Sequence, residues 1–273
     1  MGIVTAKDGA AIFFKDWGAG RPVVFSHGWA CNSDTWDTQM LFLAQKGFRV
    51  VAHDRRGHGR SEQTALGNDM DTYADDLASV IDELNLTDVT LIAHSTGGGE
   101  IARYVGRHGT ARIAGIVLIS PVTPHLLQTD ANPSGVPKAV FDGIRASVAA
   151  NRSDFFKYLA IPLFGYNRPD ATQSQGAIDE FWRESMQGSV LAQYECVREL
   201  SEVDYTADLE KIDVPTLILQ GDDDQVVPFE LSGRRSAAII RNATLKVYPG
   251  APHGLYTTHP DEVNADLLSF LSA

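Results

Sequence analysis

The chain has 273 residues, a formal net charge of -12 and two cysteines, which is enough length for a sizeable core and an acidic balance that favours solubility. That balance disfavours nucleic acid and anionic membrane surfaces as partners, and no basic run, repeat or low-complexity stretch offsets it. No apolar run approaches the ~18 residues of a membrane span. Cys31 and Cys196 lie far apart and outside any metal-ligand spacing, and no charged-then-apolar segment opens the sequence, so a reducing, cytoplasmic setting without a disulfide is expected.

In chain order, Val4-Thr5-Ala6 and Ala11-Ile12-Phe13-Phe14 flank Asp8-Gly9, a turn pair that predicts a hairpin. Short apolar runs at 23–26, 48–52, 89–93, 115–119, 215–219 and 244–248 predict six further strands. Helical patterns fall between them. Tyr73, Leu77, Val80, Ile81 and Leu84 share one face, with Asp71 or Thr72 as the expected cap. Val263, Leu267, Phe270 and Leu271 share a face of the last helix, which starts near Pro260. Strands alternating with helices predict an α/β class, with one domain over 1–273 and a mostly parallel eight-stranded sheet flanked by helices.

From about 123 to 205 the alternation breaks. The segment is too long for a bare loop and carries Phe141, Phe155, Phe156, Tyr158, Leu163, Phe164, Tyr166, Phe181, Trp182 and Met186. It is predicted to be a helical cap inserted over the carboxyl ends of the strands, the edge where open α/β sheets bind ligands. A flexible entrance is expected just before Asn132-Pro133-Ser134-Gly135-Val136-Pro137.

The chemistry concentrates on loops that follow strands. The run Val89–Ala93 leads through His94 into Ser95, then into the small residues Thr96-Gly97-Gly98 and a helical pattern. A strand, a sharp turn and a helix with serine at the apex form a nucleophile elbow. A serine hydroxyl needs a base to take its proton. Of eight histidines, His253 sits best for this, in the turn Pro249–Gly254 after a late strand, whereas His259, before Pro260, reads as a helix-start residue. The orienting acid is expected between serine and histidine in chain order. Strand 216–219 ends in Gly221-Asp222-Asp223-Asp224. In the pattern Gly-x-x-Asp-x-x-x-Pro the acid is Asp224, and Asp222 is the alternative. Oxyanion donors are expected from the backbone of Thr96, after the nucleophile, and of Trp29, in the loop His27-Gly28-Trp29-Ala30. The Trp29 indole is also expected as a pocket wall, with Val122, Phe141, Phe156, Val226 and Leu255. Asp54-Arg55-Arg56-Gly57-His58-Gly59-Arg60-Ser61 is read as a structural clamp beside the oxyanion strand, and His94 as a packed elbow residue. No histidine pair has helical metal-ligand spacing, so neither a metal nor another cofactor is expected.

These stretches, with Phe13-Phe14-Lys15-Asp16-Trp17-Gly18, Ser26-His27-Gly28-Trp29 and Pro252-His253-Gly254, resemble the α/β-hydrolase superfamily. Within it the sequence is similar to the cofactor-free bacterial haloperoxidases, or perhydrolases, and to the aryl esterases. The resemblance runs from Lys7 to Phe270. It implies the α/β-hydrolase fold, a Ser95–His253–Asp224 triad, oxyanion donors at Trp29 and Thr96, and a tendency to form homo-oligomers. Two positions depart from the usual pattern. Ala93 replaces the first glycine of the elbow, and Ala30 stands where many perhydrolysing members carry proline.

The expected function is a serine hydrolase for small carboxylic esters. Hydrogen peroxide in place of water would give a peracid that oxidises halide. An amide or lactam hydrolase on the same triad, or a hydrolase-like small-molecule receptor, are the alternatives. A fast turnover on simple esters would reject the receptor.

Overall fold

The structure, a computed structural model, describes residues Met1–Ala273. The chain opens with β1 (Gly2–Thr5), β2 (Ala11–Gly18), β3 (Pro22–Ser26), α1 (Asp37–Gln45), β4 (Arg49–His53), α2 (Met70–Glu83), β5 (Val89–His94), α3 (Thr96–His108) and β6 (Ile113–Ile119). Then come α4 (Lys138–Leu163), α5 (Gln175–Gln187), α6 (Val190–Ser201) and α7 (Thr206–Leu209). The chain closes with β7 (Thr216–Gly221), α8 (Gly233–Ile239), β8 (Ala243–Tyr248), α9 (Leu255–Thr258) and α10 (Pro260–Leu271).

The eight strands form one sheet in the order β1-β2-β4-β3-β5-β6-β7-β8. Only β2 runs against its neighbours β1 and β4; every pairing from β4 to β8 is parallel. Strands of such a sheet are covered on both faces and read as continuous apolar runs, and β5 and β7 are buried at every residue. Alternation splits the core. Val24, Val51, Leu91 and Ile218 face α2 and α3, while Val23, Phe25, Ile92 and Leu219 face α1 and α10. No helix is long and apolar enough to cross a membrane. Both cysteines are free and buried.

Two sequence expectations need correction. The first helix after β4 is capped by Asp69, not by Asp71 or Thr72. Asp69 is extended, and its carboxylate accepts from Thr72 N–H at 3.0 Å, which satisfies one of the free donors of the first turn. Asp71 faces outward and pairs with Arg103 and Arg107 instead. The expected flexible entrance is a pinned turn. Asn132 is buried and donates to His125 O (3.1 Å) and Leu127 O (2.9 Å), and its own Oδ1 accepts from Arg235 (2.6 Å).

The stretch between β6 and β7 supplies α4, α5 and α6, packed on the loops after β3, β7 and β8. Phe156, Ala160, Leu163 and Phe181 bury Ala30 and Cys31. Gly254 N–H donates to Leu163 O at 2.8 Å, and Arg168 pairs with Asp223. The helices therefore rest directly on the segments that carry the candidate chemistry.

Candidate active site

Ser95 sits between the end of β5 and the start of α3 with φ 53° and ψ -116°. That conformation costs a non-glycine residue about 1–3 kcal/mol and persists only where surroundings enforce it. The enforcement is visible. Ser95 N–H donates to Ile119 O (2.9 Å), and Ser95 O accepts from Gly98 N–H (2.9 Å) and Val122 N–H (3.2 Å). The helix start also lies hard against β3. A Cβ on Gly97 would stand 2.5 Å from Ser26 O, so no larger residue fits there. At the first motif position Ala93 is accommodated within β5, fully buried.

The three aspartates after β7 have three different partners. Asp222 accepts from Gly250 N–H (2.6 Å) and closes the turn after β8. Asp223 pairs with Arg168 of the α4–α5 connection. Asp224 accepts from His253 Nδ1–H at 2.8 Å. This bond leaves Nε2 of His253 as the free nitrogen. The backbone of His253 is gripped as well, because His94 Nε2–H (3.2 Å) and Ser120 Oγ–H (3.1 Å) both donate to its carbonyl. The His94 ring packs on the His253 ring with centroids 4.6 Å apart. Burial first, and the charge of His253 second, push His94 well below the ordinary histidine range. It is a neutral platform, as a packed elbow residue should be. Ser95 Oγ is not hydrogen-bonded to His253; contacts of this kind often tighten only in the substrate complex.

Opposite His253 lies the loop after β3. Trp29 N–H has no acceptor in the protein. Thr96 opens α3, so no carbonyl one turn back within the helix is available to its N–H. Gly28 lets the loop approach: a Cβ there would stand 2.7 Å from His94 Nδ1 and 3.4 Å from Ser95 Cβ. His27 Nε2 accepts from Arg55 N–H (2.9 Å), so the ring proton sits on Nδ1 and donates to Gly28 O (2.8 Å). A peptide is planar and trans. Fixing Gly28 O therefore aims the Trp29 N–H on the other edge of that peptide. Burial and the nearby Arg55 keep His27 neutral, well below the usual range.

Beneath this loop lies a buried charge cluster. Glu100 on α3 accepts from Ser26 Oγ–H (2.5 Å), His53 Nε2–H (2.8 Å) and Arg55 (2.7 and 2.9 Å), and Arg55 also donates to His27 O (2.7 Å). Burial opposes the charge on Glu100, but Arg55 and His53 outweigh it and hold its carboxyl at about 2. Nearby, Arg56 is shared between Asp8 and Asp76, and Arg60 bonds Asp54. Within the Asp54–Ser61 stretch, Arg55 thus ties the end of β3 and the residue after it to α3.

The expected pocket residues divide. Trp29, Phe156 and Val226 meet under the α4–α5 helices, and the Trp29 ring edges onto Phe156 at 5.4 Å while its Nε1–H donates to Gln193 O (3.0 Å). Val122 and Phe141 belong to the neighbouring cluster, against which Trp29 and Val226 also pack. Leu255 is not brought to this group. It is wholly buried on the opposite face with Phe25, Trp36 and Val263, because α9 turns its first side chain into the sheet core. The loop after Trp29 carries a further constraint: Ala30 has φ 64°, which a proline ring, fixed near -65°, cannot adopt. Sequence reasoning missed Gln220, Glu100 and Glu184. Gln220 follows the apolar run of β7 and Glu100 precedes Ile101-Ala102, a faint signal of a buried partner, whereas Glu184 stands between Arg183 and Ser185 and carries no such signal.

Comparison with known proteins agrees with this fold. A family model described as alpha/beta hydrolase fold matches residues 21–260. The chain is 56% identical over 274 residues, covering 100% of both chains, to a protein named non-heme haloperoxidase from Rhodococcus erythropolis. It is 50% identical over 274 residues, 99% of each chain, to a bifunctional esterase/perhydrolase from Acinetobacter calcoaceticus. Among solved structures it superposes on a bromoperoxidase from Bacillus anthracis with a TM-score of 0.95 and 35% identity, over 100% of this chain and 99% of that one. The loops carrying Ser95, Asp224, His253 and Trp29 on one mostly parallel sheet, together with these likenesses, place the chain in the α/β-hydrolase family, in its group of non-haem haloperoxidases and esterase/perhydrolases, and make it an enzyme.

Proposed function

We propose that the protein is a cofactor-independent serine hydrolase of small carboxylic esters that also turns its acyl-enzyme over to hydrogen peroxide. The observation that carries this reading is the His253–Asp224 hydrogen bond of 2.8 Å on the loops beside the strained Ser95, with Trp29 N–H free on the other side.

His253 Nε2 takes the Ser95 proton as Oγ attacks the ester carbonyl. Negative charge then develops on the former carbonyl oxygen, facing the N–H groups of Trp29 and Thr96. One such donor is worth about 3–4 kcal/mol of barrier. Asp224 holds the imidazole in the required tautomer and stabilises the imidazolium. The imidazolium gives its proton to the leaving alcohol or phenol, and the acyl group stays on Ser95. Water, deprotonated by His253, releases the carboxylic acid. Hydrogen peroxide in the same position releases a peracid, and the peracid transfers its outer oxygen to bromide or chloride in solution, giving the hypohalous acid and the carboxylate. One acyl-enzyme serves both routes.

The test pairs two assays on chelator-treated protein, with Ser95→Ala as the control: hydrolysis of a short-chain aryl acetate, and bromination of a phenolic dye in acetate buffer with bromide and peroxide. Activity in both arms, abolished by Ser95→Ala, is the expected result. Silence in both would sink the reading, and hydrolysis alone would confine it to an esterase.

A further inference from the structure

Asp224 is held by more than its own turn. Its Oδ1 accepts from Val226 N–H (3.0 Å) and Val227 N–H (2.8 Å). Its Oδ2 accepts from His253 Nδ1–H (2.8 Å) and also from Gln220 Nε2–H (2.9 Å). Gln220 stands near the end of β7 and is fully buried. Its second Nε2–H donates to Val227 O (3.0 Å), and its Oε1 accepts from Ser232 Oγ–H and Gly233 N–H, each at 2.9 Å. A peptide N–H can only donate. The Gly233 contact therefore fixes which end of the amide is oxygen, and so fixes the nitrogen toward Asp224. All four hydrogen-bonding positions of the amide are filled, and so are the four acceptor positions of the carboxylate.

Because the carboxylate has no spare position, the imidazole has one place to bond. We propose that Gln220 is a positioning residue of the catalytic machinery: its amide sets which lone pair of Asp224 Oδ2 faces His253 and draws off part of the carboxylate charge. The proposal rests on the reading of Ser95, His253 and Asp224 as a triad. A merely structural Gln220, tying β7 to α8, would affect stability alone. A positioning Gln220 also tunes how strongly Asp224 favours the protonated imidazole. Without the amide N–H, Oδ2 keeps more charge, the imidazolium is better stabilised, and the neutral imidazole needed as base appears only at higher pH.

The experiment uses Gln220→Met, which removes all four hydrogen bonds, and Gln220→Glu, which keeps the shape and the acceptor side but sets a second carboxyl against Asp224. Two readouts are taken on each: the pH profile of kcat and KM on a short aryl ester, and the low-field proton resonance of the His253–Asp224 bond, identified by its loss in Asp224→Asn. Gln220→Met is expected to lower kcat about tenfold with KM within about twofold, to move the acid limb up by about half a pH unit, and to shift the resonance. Gln220→Glu is expected to shift the limb and the resonance too, upward if its carboxyl is charged and downward if it donates a shared proton to Asp224 Oδ2, and it decides the matter if the methionine variant does not fold. A folded variant with limb and resonance at their wild-type positions overturns the proposal and makes Gln220 structural. If Asp224→Asn itself leaves turnover and resonance unchanged, the triad reading fails instead.

Discussion

On one flank of Ser95 the loop after β3 rests on a buried ion pair, Glu100 with Arg55, to which His53 adds a hydrogen bond. On the other flank, Asp224 is held by one amide, two peptide N–H groups and the His253 ring, with no arginine or lysine among its hydrogen-bond partners. The two flanks solve different problems. In the mechanism proposed above, the loop after β3 has to be in one place, and strong charge-assisted hydrogen bonds fix position. Asp224, in that mechanism, has to keep its charge available for the imidazolium formed when His253 takes the Ser95 proton. A buried arginine beside it would hold that charge permanently, whereas neutral donors orient it and leave most of it to His253.

Five substitutions test the contrast between the flanks. Ser95→Ala removes what both flanks serve, and esterase turnover should fall by about 10⁶, the scale seen when a triad nucleophile is lost. Circular dichroism should show an unchanged fold. Asp224→Asn attacks the charge-donating flank alone and should cost about 10⁴ in kcat. Asp222→Asn, which touches only Gly250 N–H, should cost little by comparison, and the reverse ranking in steady-state kinetics would move the acid to Asp222.

Glu100→Ala attacks the other flank and should appear mainly as instability, about 3–5 kcal/mol, because it strands the buried Arg55 charge. Urea unfolding measures it. The same pair sets an acid limit. Since Glu100 is held at about 2, its contribution is complete above the ordinary glutamate value of 4.5 and is lost as pH falls toward 2. A chain whose stability is flat over that window would contradict the role of the pair.

The smallest effect is expected at Glu184, just past the oxyanion loop. Its carboxyl is almost fully buried with one long contact, Asn32 N–H at 3.5 Å, and burial pushes it well above the usual glutamate range. A raised carboxyl contributes fully below the unfolded value and loses that contribution as pH rises through the folded value. Glu184→Gln, which needs no proton to stay neutral, should therefore raise the melting temperature at about pH 8 and leave it nearly unchanged at about pH 4. A shift of equal size at both would show that charge is not involved.

The same contrast explains what could be read from the sequence. Ser95, Asp224 and His253 each sit on a short loop directly after an apolar strand, so local pattern places them at one sheet edge. Trp29 and Thr96 follow from their positions beside β3 and the elbow. The supports of these residues are long-range. Glu100 and Ser26, Asp223 and Arg168, and His94 and the His253 carbonyl lie between 55 and 159 positions apart in the chain, and nothing local announces such pairs. Side chains entering a packed core follow the geometry of the whole sheet, which is why Leu255, two residues after His253, points away from the pocket expected for it. Asp69 was missed as a cap for a simpler reason: three carboxylate or hydroxyl residues stand within four positions, and only the backbone decides among them.

Rapid-quench mass spectrometry of the protein turning over an aryl acetate, with and without hydrogen peroxide, puts the proposed acyl-enzyme itself to the test. An acetyl adduct confined to Ser95, consumed by both nucleophiles, and absent in Ser95→Ala together with bromination, is the expected result. An adduct at another residue, or bromination that survives Ser95→Ala, would contradict it.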